Sequence, residues 1–180
     1  MQLPAETAAI FAWLHQGQFI CADHPDPTQK RWFTILSDHF AEISTHFAPL
    51  GFRLEQQKHY FYLSQSLSSV EENERREKVL RFLDWLEIGL LFDPAFGPGY
   101  SIEVEEWELI LNQQKRLLGK VRRLGFRGSA HTPEELLRLW LREMEKVGFI
   151  AQTHASPDQF RVLASLDYLI RFFQSIQIKG

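Results

Sequence analysis

Residues 50–64, LGFRLEQQKHYFYLS, and residues 147–165, VGFIAQTHASPDQFRVLAS, follow one plan, and this repetition limits the possible folds more than any other feature of the chain. Each leaves a helix-like segment at an aliphatic residue, passes through Gly-Phe, and enters two short apolar segments around a polar turn. In the first copy Phe61 and Leu63 share one face while Tyr60 and Tyr62 share the other, the period-two pattern of a strand. A lone hairpin is marginal in water, so each must lay its apolar face, Phe61 and Leu63 or Phe160 and Val162, on the helices before it. Gly51 and Gly148 supply the sharp left-handed turn at the junction, and Phe52 and Phe149 pin the first strand to the helix just finished.

The rest of the chain is mostly helical in pattern. Ala8, Phe11, Trp13 and Leu14 predict a helix over 5–16 ended by Gly17, followed by a brief strand at QFICA. Asp26-Pro27-Thr28-Gln29 has the form of a helix start, and Phe33, Leu36, Phe40, Ile43 and Phe47 carry the pattern on, as one helix or as two with a turn near Asp38. A Ser-rich stretch, SQSLSSVEENERRE at 64–77, then divides the chain near residue 69. Beyond it, Val79, Phe82, Leu83, Leu86 and Leu90 predict a long helix over 71–92, and a second helical region covers 103–124, acidic first and basic last, which suits the helix dipole. Thr132-Pro133-Glu134-Glu135 is a capping box that launches Leu136, Leu137, Trp140, Leu141, Met144 and Val147 on one face. Strands at 148–153 and 158–164 follow, then a closing helix over 166–177 on Leu166, Leu169, Ile170, Phe173 and Ile176.

Each half is thus helices, a helix ended by Gly-Phe, and a hairpin, the order of a winged helix-turn-helix domain. The fold class expected is mainly α with small β-hairpins (α+β), as tandem winged helix-turn-helix domains over 1–69 and 70–180. A single α+β domain with two unrelated hairpins is the other reading of the same pattern.

Chemistry is sparse. With 180 residues, 44% of them hydrophobic and 24% charged, the chain has the apolar content of an ordinary globular protein and no stretch of transmembrane type. The N-terminal MQLPAETAAIFAWLHQG lacks the basic region and uninterrupted apolar run of a signal peptide, so a cytoplasmic location is expected. Cys21, the single cysteine, lies in an apolar run and reads as a buried inert thiol rather than a nucleophile. His39 and His46 fit one helical face, yet nothing has the form H-E-x-x-H, and FGPGY at 96–100 lacks the Lys-Ser/Thr of a P-loop. Glu103, Glu105, Glu106 and Glu108 read as solvated acids of a first helical turn. No catalytic residue, metal or cofactor is expected.

Two features point to macromolecular partners. Residues 115–127 hold Lys115, Arg116, Lys120, Arg122, Arg123 and Arg127 with no acidic residue among them. Such a stripe suits nucleic-acid phosphates, an acidic protein partner, or simply a solvated helix end. The capped helix after it mixes Arg138, Arg142, Glu143, Glu145 and Lys146, a poor set for reading bases. The second feature is an aromatic surplus of 15 Phe, 5 Trp and 4 Tyr, from which Trp13, Trp32, Tyr60, Tyr62, Trp107 and Phe172 are the candidate partner-binding residues, core filling being the alternative role.

Taken with QGQFI at 16–20, PLGFRLEQQKHYFYLS at 49–64, PEELLRLWLREMEKVGFI at 133–150 and DQFRVLASLDYLIRFF at 158–173, the chain resembles the kite subunits of bacterial SMC-kleisin complexes, of the MukE and MksE type. The resemblance implies a non-enzymatic homodimer that binds a kleisin-type subunit and, through it, an SMC-type ATPase, in chromosome organisation and segregation or plasmid defence. The basic stripe matches nothing in that family residue by residue, so non-specific DNA contact is inferred from charge alone. A winged-helix DNA-binding transcriptional regulator and a small enzyme are the rival classes.

Overall fold

A computed structural model describes residues 3–65, 69–125 and 132–177. The first half runs α1 (Thr7–His15), β1 (Ile20–Cys21), α2 (Pro27–Asp38), α3 (Phe40–Phe47), a 3-10 turn over Ala48–Leu50, β2 (Phe52–Gln56) and β3 (Tyr60–Gln65). The second runs α4 (Ser69–Phe92), β4 (Ser101–Glu103), α5 (Val104–Gln113), α6 (Lys115–Arg123), α7 (Pro133–Val147), β5 (Ile150–Gln152), β6 (Gln159–Val162), a 3-10 turn over Ala164–Leu166 and α8 (Asp167–Gln177). The architecture is mostly helical α+β, with two antiparallel sheets ordered β1-β3-β2 and β4-β6-β5.

Local chemistry explains most boundaries. The Asp26 carboxylate accepts from the Thr28 N–H at 2.8 Å and Pro27 opens α2, whose helix breaks at His39 (φ −119°) beside the expected turn. Thr132 and Glu135 form the reciprocal capping box at the head of α7. Gly51 (φ +83°) and Gly148 (φ +87°) both take the left-handed conformation just before a hairpin, which is why glycine stands at each.

Two expectations are corrected. The helical region foreseen over 103–124 is a short strand and two helices, broken at Gln114 (φ −104°, ψ 88°). Leu111 and Leu117 are both buried, and a spacing of six points them to different sides of a straight helix, so the break lets each reach the core. Strand β4 itself was not foreseen; it joins the second hairpin through Ile102 opposite Phe160, as β1 joins the first through Ile20 opposite Phe61. The stripe of α4 also differs, because Leu90 is exposed while Trp85, Ile88 and Phe92 turn inward.

Two apolar clusters form. The smaller gathers Ile10, Leu14, Leu36, Ile43, Phe47, Leu54 and Phe61 from the first half. The larger belongs mainly to the second half but takes in Phe19, Cys21 and Tyr60 from the first. Its centre is a stack of Phe92, Trp107 and Trp140, with ring centroids 4.2 Å apart for Phe92 and Trp107 and 5.6 Å for the two tryptophans. The first sheet is therefore covered on both faces: Phe61 looks into its own helices, and Tyr60 and Tyr62 look across to Phe19 and Tyr168.

Candidate functional site

Helix α6 carries the basic stripe. Leu117 and Val121, four apart, form its buried side, and Lys115, Arg116, Arg122 and Arg123 are exposed on the opposite arc around Gly119. Gly119 has open space at the position of a β-carbon, so the helix backbone at the middle of that arc is accessible. Among the described residues none of these four cations has an ion-pair partner. Lys120 is different: it turns to the flank and pairs with Glu87 of α4. Arg127 lies outside the described residues. The structure thus assembles four of the six candidate cations into one solvent-facing patch.

The aromatic candidates do not form a single surface. Trp13 and Trp32 meet edge to face at 5.9 Å, both half-buried, and the Trp13 Nε1–H donates to the Phe19 carbonyl at 3.0 Å. Tyr60 and Trp107 are buried and offer no face to a partner; the periodic set Val104, Trp107 and Leu111 marks the inward stripe that places Trp107 in the core. Tyr62 is half-buried at the junction of the two halves, its ring 5.3 Å from that of Tyr168, and Phe172 is half-buried on α8.

That junction is the polar feature that sequence reasoning missed. Asp23 accepts from the Ala164 N–H through both carboxylate oxygens at 3.2 Å, and the Gln18 amide donates to the Lys146 carbonyl at 3.0 Å. Phe19 lies 5.5 Å from Phe149, and a β-carbon on Gly148 would be 3.6 Å from the Phe19 nitrogen. Burial pushes the Cys21 thiol up to about 12, which keeps it protonated and unreactive beside Ser165.

His24 borders the same junction. Its Nδ1 accepts from the Asp26 N–H at 3.1 Å, which requires a free lone pair, and burial lowers its proton affinity against the opposing pull of Asp26 and Asp23. With the folded value below the ordinary 6.5, the unfolded chain binds the proton more readily, so this contribution to stability is present above 6.5 and lost as pH falls through the lowered value. His24→Gln is expected to flatten the decline in urea midpoint between about pH 7.5 and 5.5. Equal slopes for variant and parent would remove His24 as the cause.

Near the other end of the first half, Leu3, Pro4, His39, Glu42, His46 and Pro49 wall a hollow of about 690 Å³. Glu42, three residues after His39 and four before His46, adds a carboxylate to that wall. Even so, no group of three or more His, Cys, Asp and Glu among the described residues is arranged to hold a metal ion. No helix among them is long and apolar enough to cross a membrane.

Fold and surfaces together describe a helical α+β protein whose distinctive features are a cationic helix face and a fastened junction between two sheets. The chain belongs to the MksE family: the family model described as condensin complex protein MksE matches residues 5–173. No curated protein matches the chain.

Proposed function

We propose that the chain is a non-enzymatic accessory subunit of a bacterial SMC-kleisin complex of the condensin type, acting in the cytoplasm at the nucleoid. In this reading it is built of two winged-helix units, 1–69 and 70–180, holds the kleisin and through it the SMC-type ATPase, and touches DNA phosphates without reading bases. The family match over residues 5–173 is the observation that carries it.

The winged-helix units are supported by the order helix, strand, two helices, two strands in α1 to β3, repeated in α4 to β6 with one added helix, the first strand pairing with the third in both. The reading also includes a homodimer formed through the first half, supported by Leu50, 56% exposed and next in sequence to Pro49, which walls the hollow with Leu3 and Pro4. Phosphate contact is supported by the unpaired cations of α6. Against a base-reading regulator stands α7, whose Arg138 is held by Glu108 at 3.2 Å, Glu134 at 3.3 Å and Asp158 at 2.7 Å.

The test is native purification of the tagged chain from its own host. The expected result is recovery of a kleisin-class protein together with a coiled-coil ATPase; a chain that returns alone, at high yield and folded, would overturn the assignment.

A further inference from the structure

We propose that residues 22–26 form a proton-operated latch: a proton taken up at His24 releases the 3-10 turn Ala164–Leu166 from β1 and opens the junction over Cys21, while the rest of both halves stays folded. The proposal does not depend on the subunit assignment, because it concerns only how the two halves of one chain are fastened.

The segment 22–26, ADHPD, leaves β1 and reaches the second half at two points. Asp23 accepts from the Ala164 N–H through both oxygens, and the Pro25 carbonyl accepts from the Nε2 of His154, 3.3 Å away in the turn between β5 and β6. Neither bond belongs to a sheet, so both depend on how the segment itself is folded. That shape is set locally: the Ala22 N–H donates to the His59 carbonyl at 2.9 Å, the His24 N–H to the Cys21 carbonyl at 3.4 Å, and the Asp26 N–H to the His24 Nδ1 at 3.1 Å. The turn Ala164–Leu166 lies against β1, with Ser165 hydrogen-bonded to Cys21. Cys21 and Ser165 are sealed there, at 1% and 0% exposure. The Asp23 carboxylate thus fastens the cover that lies over the thiol.

One ring nitrogen decides the shape. Nδ1 accepts the Asp26 N–H only while it carries no proton. Protonated, it becomes a donor facing a donor, and the imidazolium finds a better partner in the neighbouring Asp23 carboxylate, which is then divided between His24 and the Ala164 N–H. The surroundings of His24 act in both directions: burial disfavours the charged ring most, Asp26 and Asp23 favour it, and Lys30 and His154 oppose it. His154 keeps its bond to Pro25 in either protonation state, since Nε2–H remains a donor, but a charge on it adds to the repulsion. Because the closed junction holds His24 below its ordinary 6.5, proton uptake and opening favour each other: the latch is closed above 6.5 and loosens as pH falls from there through the lowered value. With the ordinary 6.5 in the open segment, the gain in opening between pH 7.5 and 5.5 has a ceiling of about tenfold.

Cys21, the single cysteine, is the reporter. Its reaction with dithiodipyridine is followed by absorbance in the full-length chain at pH 7.5 and 5.5, each rate divided by that of the urea-unfolded chain at the same pH, which cancels the change in thiolate fraction. The normalised rate is expected to rise roughly three- to tenfold at the lower pH and to be unchanged by low urea, the mark of a local opening. His24→Asn, whose side-chain oxygen replaces Nδ1 as an acceptor at every pH, should hold the two rates within about twofold of each other. Asp23→Ala, with its fold checked by circular dichroism, should react fast at both. Equal rates for the parent, a pH response that survives His24→Asn, slow reaction of Asp23→Ala at pH 7.5, or reaction that climbs with urea as steeply as global unfolding would each overturn the latch.

Discussion

Trp107→Ala is expected to destabilise the protein by about 3–5 kcal/mol, measured as a fall in urea midpoint at unchanged slope. Trp107 is 1% exposed, lies face to face with Phe92 at an interplanar angle of 7°, and is 5.6 Å from Trp140, so the alanine would leave a cavity walled by rigid rings that cannot collapse into it. A loss of that size is a large share of the roughly 5–15 kcal/mol that holds a typical domain together. The half-buried Trp32, which meets Trp13 at the surface, is the comparison: Trp32→Ala should cost about 0.5–1.5 kcal/mol. Were Trp107 an anchor for another protein, the order would invert, with stability kept and affinity lost. A Trp107→Ala protein with the parental midpoint would refute the core assignment.

The second large effect concerns nucleic acid. If Lys115, Arg116, Arg122 and Arg123 each displace one counterion, the slope of log K against log salt for random duplex is near −3.6, or roughly 150-fold weaker binding at 200 mM than at 50 mM salt. Reversing Arg116, Arg122 and Arg123 to Glu should remove most of that slope and reduce binding at 50 mM salt to background. The reversal leaves Leu117 and Val121 in place, so the fold is disturbed only by the helix-dipole preference at the end of α6, about 1 kcal/mol. Binding that ignores the reversal would exclude this face, and a strong preference for one sequence would return the regulator to consideration.

How far the sequence disclosed this protein depends on how local each signal is. The capping box at Thr132, the proline start at Pro27 and the glycine turns at Gly51 and Gly148 are satisfied within a few residues, and they were readable. Strand β4 was not, because Ile102 between exposed Ser101 and Glu103 is one apolar residue, too little to show alternation. The break at Gln114 and the inward turn of Trp107 were visible in principle from the spacing of Val104, Trp107, Leu111 and Leu117, had that stripe been weighed against the bulk of the indole. Of the cationic patch, four members share one helix face and so were legible, whereas the capture of Lys120 by Glu87 joins residues 33 apart and leaves no local trace. The same holds for the aromatic candidates: a tyrosine that leans on the far half of its own chain and one that awaits a visitor have the same neighbours in sequence.

The first sheet, wetted on neither broad face near Tyr60 and Phe61, has a bearing on how the molecule comes apart. A protease cut in the connection after Gln65 leaves the pieces clasped through Phe19, Tyr62 and Tyr168, and a gene fragment encoding only the leading piece yields a sticky product that seeks any oily cover. Heating should likewise strip both pieces in one calorimetric event, since removing either uncovers the Phe19, Tyr60 and Tyr62 seam, although the leading piece keeps a small cluster of its own around Ile10, Leu36, Phe47 and Phe61.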